Sequence, residues 1–120
     1  MWYEVVKREQ REDGTLWVEV HVPRGSAWFD GHFPGHPVLP GIAQLGMVFD
    51  LIRNAMDGPV RVTEVSRVRF KQMILPEDHL NVVAEPRPTG KGIYGFRITK
   101  DDEVVCSGAM TVAAVQPSRE

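Results

Sequence analysis

Two residues in the glycine- and proline-rich stretch WFDGHFPGHPVLPGIAQLG, residues 28–46, are of types that can do acid–base and oxyanion chemistry. His32 lies between Gly31 and Phe33, and an imidazole that titrates near neutral pH is a natural general base. Gly41 opens a predicted helix, so its backbone N–H lacks a partner inside that helix. Such a donor can bind a developing oxyanion. The alternatives are a histidine that caps a loop carbonyl and a glycine that only makes a tight turn.

The loop that carries these residues is predicted to be ordered. Residues 28–46 hold two histidines, three prolines and four glycines. Proline fixes φ, and glycine permits positive φ and close backbone approach, so this composition favours one particular shape. Residues 24–40 show no hydrophobic period, and an unpatterned connection of this length in a compact domain is usually functional or disordered. Its aromatic residues favour the ordered alternative.

The elements around the loop are predicted in the order β-β-α-β-β-β-β. The pair Asp13-Gly14 signals a hairpin, and the helix is predicted at 41–56, with Gly58-Pro59 ending it. Its apolar residues lie almost all round the axis, which is typical of a buried helix. We therefore predict an α+β fold in a single domain, residues 1–120, with a mainly antiparallel sheet wrapped around one long central helix. The predicted strands are residues 3–10, 15–23, 60–72, 79–86, 92–100 and 103–114.

The composition excludes several classes of protein. The chain has 120 residues and a net charge of −2, so nucleic acid and anionic membranes are not expected partners. Its single cysteine, Cys106, excludes an intramolecular disulfide and lies in an apolar strand typical of a core thiol. No apolar run is long enough to span a bilayer, and a cytoplasmic location is expected. No metal is expected, since no His, Asp or Glu cluster has ligand spacing.

The stretch GHFPGHPVLPG, residues 31–41, resembles the GHFPxxPxxPG signature of the β-hydroxyacyl-[acyl-carrier-protein] dehydratases of the FabZ/FabA type, which have the hot-dog fold. FKQMILPEDHL, residues 70–80, and the stretch 92–113 look like later strands of that family. LPGIAQL is similar to a subgroup associated with aryl-polyene and related lipid-like pathways. The resemblance implies a double hot-dog dimer with two sites at the subunit interface, and no cofactor.

The resemblance also implies roles for residues. His32 would remove a C2 proton from a (3R)-hydroxyacyl thioester carried on acyl carrier protein or CoA, in fatty-acid or polyketide-like lipid synthesis. The Gly41 N–H would polarise the thioester carbonyl, and a carboxylate from the partner subunit's helix would help the hydroxyl leave as water. The residues expected to line the substrate site are Phe33, Pro40, Ile42, Gly46 and His36.

The chain departs from that family at Gly46, which stands where the family has its carboxylate. Asp50 is one turn further along the same helix face, and either Asp50 or a bound water is predicted to be the substitute acid. An ion pair between Asp50 and Arg53 is the alternative. His36 replaces a variable residue of the signature and offers a second imidazole; hydrogen bonding within the loop is its alternative role.

Two other functions are consistent with the sequence. A hot-dog thioesterase would use a water and a carboxylate on the same scaffold, although the GHFP signature disfavours it. The loss of the acid at Gly46 motivates a non-catalytic acyl-thioester binder, or one subunit of a heterodimer with a paralogue.

A homodimer is predicted because so short a chain buries only a small core. Arg67, Arg69 and Lys71 alternate along a predicted strand, and a basic face there would suit an acidic carrier protein.

Overall fold

The computed structural model describes residues 2–29 and 37–116. Within these residues it contains six strands, one α-helix and a short 3-10 helix at Ala27–Phe29. The elements are β1 (Glu4–Gln10), β2 (Leu16–His21), α1 (Gly41–Arg53), β3 (Val60–Phe70), β4 (His79–Pro86), β5 (Ile93–Lys100) and β6 (Glu103–Ala114). The predicted order of elements is confirmed, and each strand boundary lies within two residues of its predicted position.

The six strands form one antiparallel sheet in the order β1-β2-β4-β5-β6-β3. The two edges of the sheet are therefore β1 and β3. Two hairpin turns, one of them the predicted turn at Asp13-Gly14, carry the backbone geometry that their residues favour: Gly14 has a φ of 89°, and Asp101 and Asp102 have φ values of 50° and 67°. Of the residues described, no helix is long and apolar enough to cross a membrane.

Helix α1 packs on the sheet with one side only. Its buried side contacts mainly β4 and β2. On the other side Ile42 is 68% exposed and Gly46 is half-buried. The prediction that this helix is buried all round is therefore wrong for a single chain, because one sheet can cover only one side of a helix. The fully buried apolar residues of α1 are Ala43, Met47, Val48, Leu51 and Ile52.

The helix also ends three residues earlier than predicted. Its last residue is Arg53, and the N–H of Asn54 is shared between the carbonyls of Asp50 and Ile52. The backbone then tightens, since the N–H of Ala55 bonds to Ile52 and that of Met56 to Arg53. Such i to i−3 bonds are typical of a helix C-terminus.

Edge strand β3 is exposed along most of its length and is interrupted by irregularities. Its register against β6 shifts between Val62 and Glu64 and again between Ser66 and Arg69, and Arg67 has a φ of 55°. A bulge breaks the regular alternation of side chains. The predicted shared basic face of Arg67, Arg69 and Lys71 is therefore wrong in its premise of simple alternation, and Lys71 lies beyond the end of the strand.

Candidate active site

The start of α1 presents an open backbone donor. Pro40 precedes it in an extended conformation, with φ −63° and ψ 153°. The N–H groups of Ala43 and Gln44 both donate to the Pro40 carbonyl, at 3.1 and 3.2 Å. Among the described residues the N–H of Gly41 has no backbone acceptor. It lies at the positive end of a 13-residue helix, where an anionic oxygen is favoured.

A cleft of about 430 Å³ opens beside this donor. We call it the helix-start cleft; its lining includes Leu39, Pro40, Gly41, Gln44, Phe70 and Lys71. The ring of Phe70 lies against Gly41 so closely that a Cβ there would be 2.7 Å from the ring Cζ. Glycine therefore allows this close packing at the helix start, and a side chain here would displace the Phe70 ring.

The segment that enters the helix is anchored on both sides of its backbone. The N–H of Leu39 donates to the carbonyl of Ile74 at 2.8 Å, and both side chains are buried. The Leu39 carbonyl accepts a 3.2 Å hydrogen bond from Nε2 of Gln44. These two bonds hold the peptide that precedes Pro40 and so determine where the Gly41 N–H points.

The structure places Asp50 in a different environment from the one expected of a free acid. Its Oδ2 accepts a 2.7 Å hydrogen bond from the Tyr3 hydroxyl, and its Oδ1 accepts one of 2.8 Å from Nε of Arg53. Tyr3 is 6% exposed, and burial, followed by its bond to Asp50, holds the pKa of its hydroxyl well above the ordinary value. Asp50 also follows Gly41 by nine positions, which is about 13 Å along the axis at ~1.5 Å per residue. Within one chain, Asp50 and Gly41 therefore do not face a common reacting atom.

Gly46, the position of the missing acid, faces open space. Apart from its own helix backbone and chain neighbours, a Cβ at Gly46 would find no atom of the described residues within 4 Å. The residue is half-buried on the side of α1 that the sheet leaves uncovered. Unlike a Cβ at Gly41, a Cβ here meets no neighbouring element among the described residues, so a larger side chain fits at this position.

An aromatic cluster connects the start of the loop to Asp50. Trp28 lies just before the loop, and its ring meets that of Trp2 edge-on at 6.1 Å. Trp2 in turn meets Tyr3 edge-on at 4.7 Å. Sequence reasoning missed Tyr3 and Trp2, because no spacing or motif connects Tyr3 to Asp50, which lies 47 positions further along the chain.

Three predicted site residues, His32, Phe33 and His36, lie outside the described residues, and their roles stay predictions. Pro40, Gly41 and Gly46 are at the helix start or on the uncovered side of α1, as is the exposed Ile42. Cys106 is fully buried, and desolvation raises the pKa of its thiol to about 11, so the prediction of a core thiol is confirmed. The described residues hold no group of three or more His, Cys, Asp or Glu side chains arranged for a metal ion.

The six-stranded antiparallel sheet with a single packed helix is the hot-dog fold. The same fold occurs in the solved dehydratase heterocomplex ApeI:P from Xenorhabdus doucetiae, which aligns with a TM-score of 0.83 at 23% identity. That alignment covers 93% of this chain and 98% of the other.

The sequence matches the ApeI-like family, described as ApeI dehydratase, over residues 7–109. The 3-hydroxyacyl-[acyl-carrier-protein] dehydratase FabZ of Oceanobacillus iheyensis is 34% identical over 122 residues, covering 91% of this chain and 83% of the relative. FabZ of Syntrophomonas wolfei is 36% identical over 97 residues, covering 72% of this chain and 66% of the relative. The chain belongs to the ApeI-like dehydratase family.

Proposed function

We propose that this protein is a hydro-lyase that dehydrates (3R)-hydroxyacyl thioesters carried on acyl carrier protein or CoA, in fatty-acid or polyketide-like lipid synthesis. The observation that carries the proposal is the backbone N–H of Gly41, which has no backbone acceptor among the described residues and lies beside the helix-start cleft. Membership of a dehydratase family and similarity to FabZ enzymes support the choice of reaction.

In the proposed mechanism the thioester carbonyl oxygen accepts a hydrogen bond from the Gly41 N–H. His32 takes the C2 proton, and the electron pair of the C2–H bond forms an enolate. The negatively charged enolate oxygen is stabilised by the hydrogen bond from the Gly41 N–H. The enolate then expels the 3-hydroxyl, which leaves with a proton as water, and the C2–C3 double bond forms. One well-placed oxyanion donor contributes about 3–4 kcal/mol of transition-state stabilisation. Pro40, Ile42, Phe33 and His36 line the acyl group in this proposal.

The proton for the departing hydroxyl is the open part of the mechanism. In the homodimeric form of the proposal it comes from Asp50 of a second copy of this chain, and Gly46 leaves room for the substrate or for a relaying water. Both oxygens of Asp50 already accept hydrogen bonds, so it must give up its bond to Tyr3 or Arg53 to act. This is a demanding role for the carboxylate.

The need for Asp50 to give up one of its hydrogen bonds favours a second candidate function, in which the chain is one subunit of a heterodimer and a paralogue supplies the acid. The bare position at Gly46 and the engaged carboxylate of Asp50 both support this. The solved neighbour with the same fold is itself a dehydratase heterocomplex. The helix-start donor then serves a reaction centre completed by the other chain.

A dimer of either kind would cover surface that a single chain leaves exposed. Ile42 on α1 and Phe70 on β3 are 68% and 51% exposed, and the long edge strand β3 has unpaired backbone groups. Pairing of two β3 edges would join two sheets and bring the uncovered sides of two helices together. A single monomeric species at micromolar concentration in sedimentation would contradict this.

Lys71 lines the helix-start cleft, and its charge suits the phosphate of a phosphopantetheine arm. A cytoplasmic location remains the expectation.

The proposal is tested by supplying the purified protein with but-2-enoyl and longer 2-enoyl thioesters of CoA and of acyl carrier protein. Hydration removes the conjugated double bond and its ultraviolet absorbance. We expect turnover by the chain alone or after addition of a paralogue with the intact acid. In the His32→Ala variant we expect the hydration rate to fall by several powers of ten. Release of free thiol from a saturated acyl thioester would instead identify a thioesterase. An absence of hydration at every chain length, with and without the paralogue, would refute the proposal.

A further inference from the structure

Gln44 is the one polar side chain in the middle of the buried side of α1, and it lines the helix-start cleft. It is 3% exposed. Its Nε2 donates to the Leu39 carbonyl at 3.2 Å, whereas its Oε1 is buried without a hydrogen-bond partner among the described residues. The amide is therefore half satisfied, and the unsatisfied half is a hydrogen-bond acceptor.

An unpaired acceptor in this position is unfavourable unless something else donates to it. A buried carbonyl oxygen without a partner loses its hydration and gains nothing in return. A leucine or methionine would fill the same space without that cost. Since the other half of the amide already holds the entry segment, the Oε1 is left to accept a hydrogen bond from a group outside the described residues.

The position of Gln44 on the helix indicates where that donor comes from. Helix side chains lean toward the N-terminus, so the amide of residue 44 lies over the turn that contains Gly41, three positions earlier. Its bond to Leu39 agrees with this direction. Gln44 and Gly41, the residue of the proposed oxyanion donor, thus both line one cleft, one helical turn apart.

We propose that Gln44 is a substrate-binding residue, whose Oε1 accepts a hydrogen bond from an O–H or N–H donor of the bound thioester while Nε2 fixes the entry segment. This inference rests on the proposed function, because it takes the thioester carbonyl to lie at Gly41. Two donors of such a substrate lie within reach of that carbonyl. One is the 3-hydroxyl, two carbons along the acyl chain; the other is the amide N–H of the pantetheine arm, two carbons beyond the sulfur.

Two pairs of ligands separate these donors. The S-(3-hydroxybutyryl) and S-butyryl thioesters of N-acetylcysteamine differ only in the hydroxyl. The S-butyryl thioesters of N-acetylcysteamine and of 2-mercaptoethyl acetate differ in the N–H, which an ester oxygen replaces. Dissociation constants are measured by NMR titration of the dimeric protein, or of the complex with its paralogue, so that no turnover by the enzyme is needed.

The wild-type protein is expected to bind the donor-bearing member of one pair about tenfold more tightly, and the Gln44→Met variant is expected to lose that preference. Loss in the first pair identifies the 3-hydroxyl as the donor, and loss in the second identifies the pantetheine amide. Gln10→Met, the same change on the exposed strand β1, should keep the wild-type preference. Equal preferences in wild type and Gln44→Met for both pairs would overturn the proposal, as would a wild-type protein without preference.

A second variant keeps the test decisive where Gln44→Met does not fold. Gln44→Glu preserves the size of the side chain, and in its protonated form it offers both a donor to Leu39 and an acceptor to the ligand. A carboxyl oxygen accepts a hydrogen bond in either protonation state, so Gln44→Glu should keep the wild-type preference for the donor-bearing ligand. Loss of that preference in Gln44→Glu would contradict the proposal. A chain that shows Gln44-dependent binding but no hydration would refute the lyase reaction alone.

Discussion

The Tyr3 hydroxyl donates a 2.7 Å hydrogen bond to Oδ2 of Asp50, joining the N-terminal segment to the last turn of α1. Arg53 occupies the other oxygen of the same carboxylate. Through Trp2, this contact also reaches Trp28 at the start of the loop that carries His32. In a single chain, Asp50 thus acts as a structural anchor, which explains why any catalytic use of it requires a rearrangement.

Removing that contact is expected to destabilise the protein. The Tyr3→Phe variant keeps the buried ring and leaves Asp50 without its partner. A hydrogen bond to a charged group contributes ~1.5–3 kcal/mol, and partial exposure of Asp50 places the expected loss near the lower figure. Urea unfolding measures it. Tyr94→Phe is the matched control, because the Tyr94 hydroxyl has no hydrogen bond to the described residues. Equal losses in the two variants would contradict this assignment.

The close packing of Phe70 on Gly41 predicts that substitutions at these two residues have coupled effects on activity. In Gly41→Ala the new Cβ would lie 2.7 Å from the Phe70 Cζ, so the half-exposed ring must swing away. We expect a change in stability under about 1 kcal/mol, since alanine is also the better helix former. Activity should fall on the order of tenfold, because the displaced ring disturbs the helix-start cleft.

The Gly41→Ala/Phe70→Ala double variant tests this explanation. If the steric contact is the cause, the two changes should not be additive, and the double variant should lose less activity than the product of the single losses. Strictly additive effects on kcat/KM would show that the two residues act independently.

Restoring a carboxylate at Gly46 is expected to raise the activity of the isolated protein. A side chain fits there because, beyond the adjoining helix backbone, no atom of the described residues lies within 4 Å of a Cβ at this position. Gly46→Glu should increase the hydration rate at least tenfold if the missing acid limits the reaction, and Gly46→Gln, equal in size but unable to donate a carboxyl proton, should not. Similar rates for both variants would mean that the acid comes from elsewhere.

His21 predicts a pH dependence of stability. Its Nδ1 lies 2.7 Å from Glu4 and its Nε2 lies 2.8 Å from Glu77, and its ring stacks on His79 at 4.7 Å. The hydrogen bonds to Glu4 and then Glu77 raise the pKa of His21 above its ordinary value. The folded protein therefore holds this proton more tightly than the unfolded chain. The stabilisation is fully present below the unfolded pKa of about 6.5 and is lost as pH rises through the folded value.

The measurement is the difference in unfolding free energy between wild type and His21→Gln across pH 5 to 9. We expect a constant difference at the acidic end and a decline that starts near pH 6.5. The Glu4→Gln variant, which removes the hydrogen bond that raises the pKa of His21 most, should show a smaller decline. A difference that grows with pH would contradict the sign of the pKa change.

Local chemistry allowed much of the fold to be predicted. Asp13-Gly14 and Asp101-Asp102 form their turns because their residues tolerate positive φ, and Pro40-Gly41 starts the helix where expected. The bulge at Arg67 was not predictable, because no glycine or proline marks it. The uncovered side of α1 was not predictable either, since a hydrophobic pattern does not reveal which molecule covers each side.

The candidate site likewise contains residues that the sequence could predict and residues that it could not. Gly41 carries a signal in the sequence, because a Pro-Gly pair before an apolar run indicates a helix start. Tyr3 is brought to Asp50 only by tertiary folding across 47 positions. Gln44 is a polar residue in an apolar helix with no motif around it, and only its burial beside the cleft reveals its unsatisfied acceptor.

The catalytic role of His32 is tested most directly by using NMR to monitor the hydration of a but-2-enoyl thioester in D₂O. The wild type and His32→Ala are compared, with the paralogue present if the chain needs one. Reversal of the proposed chemistry predicts that wild type forms the 3-hydroxyacyl product with one deuterium at C2, and that His32→Ala forms none above the uncatalysed background. An unchanged rate in His32→Ala would contradict the claim that His32 and the Gly41 donor form the catalytic site.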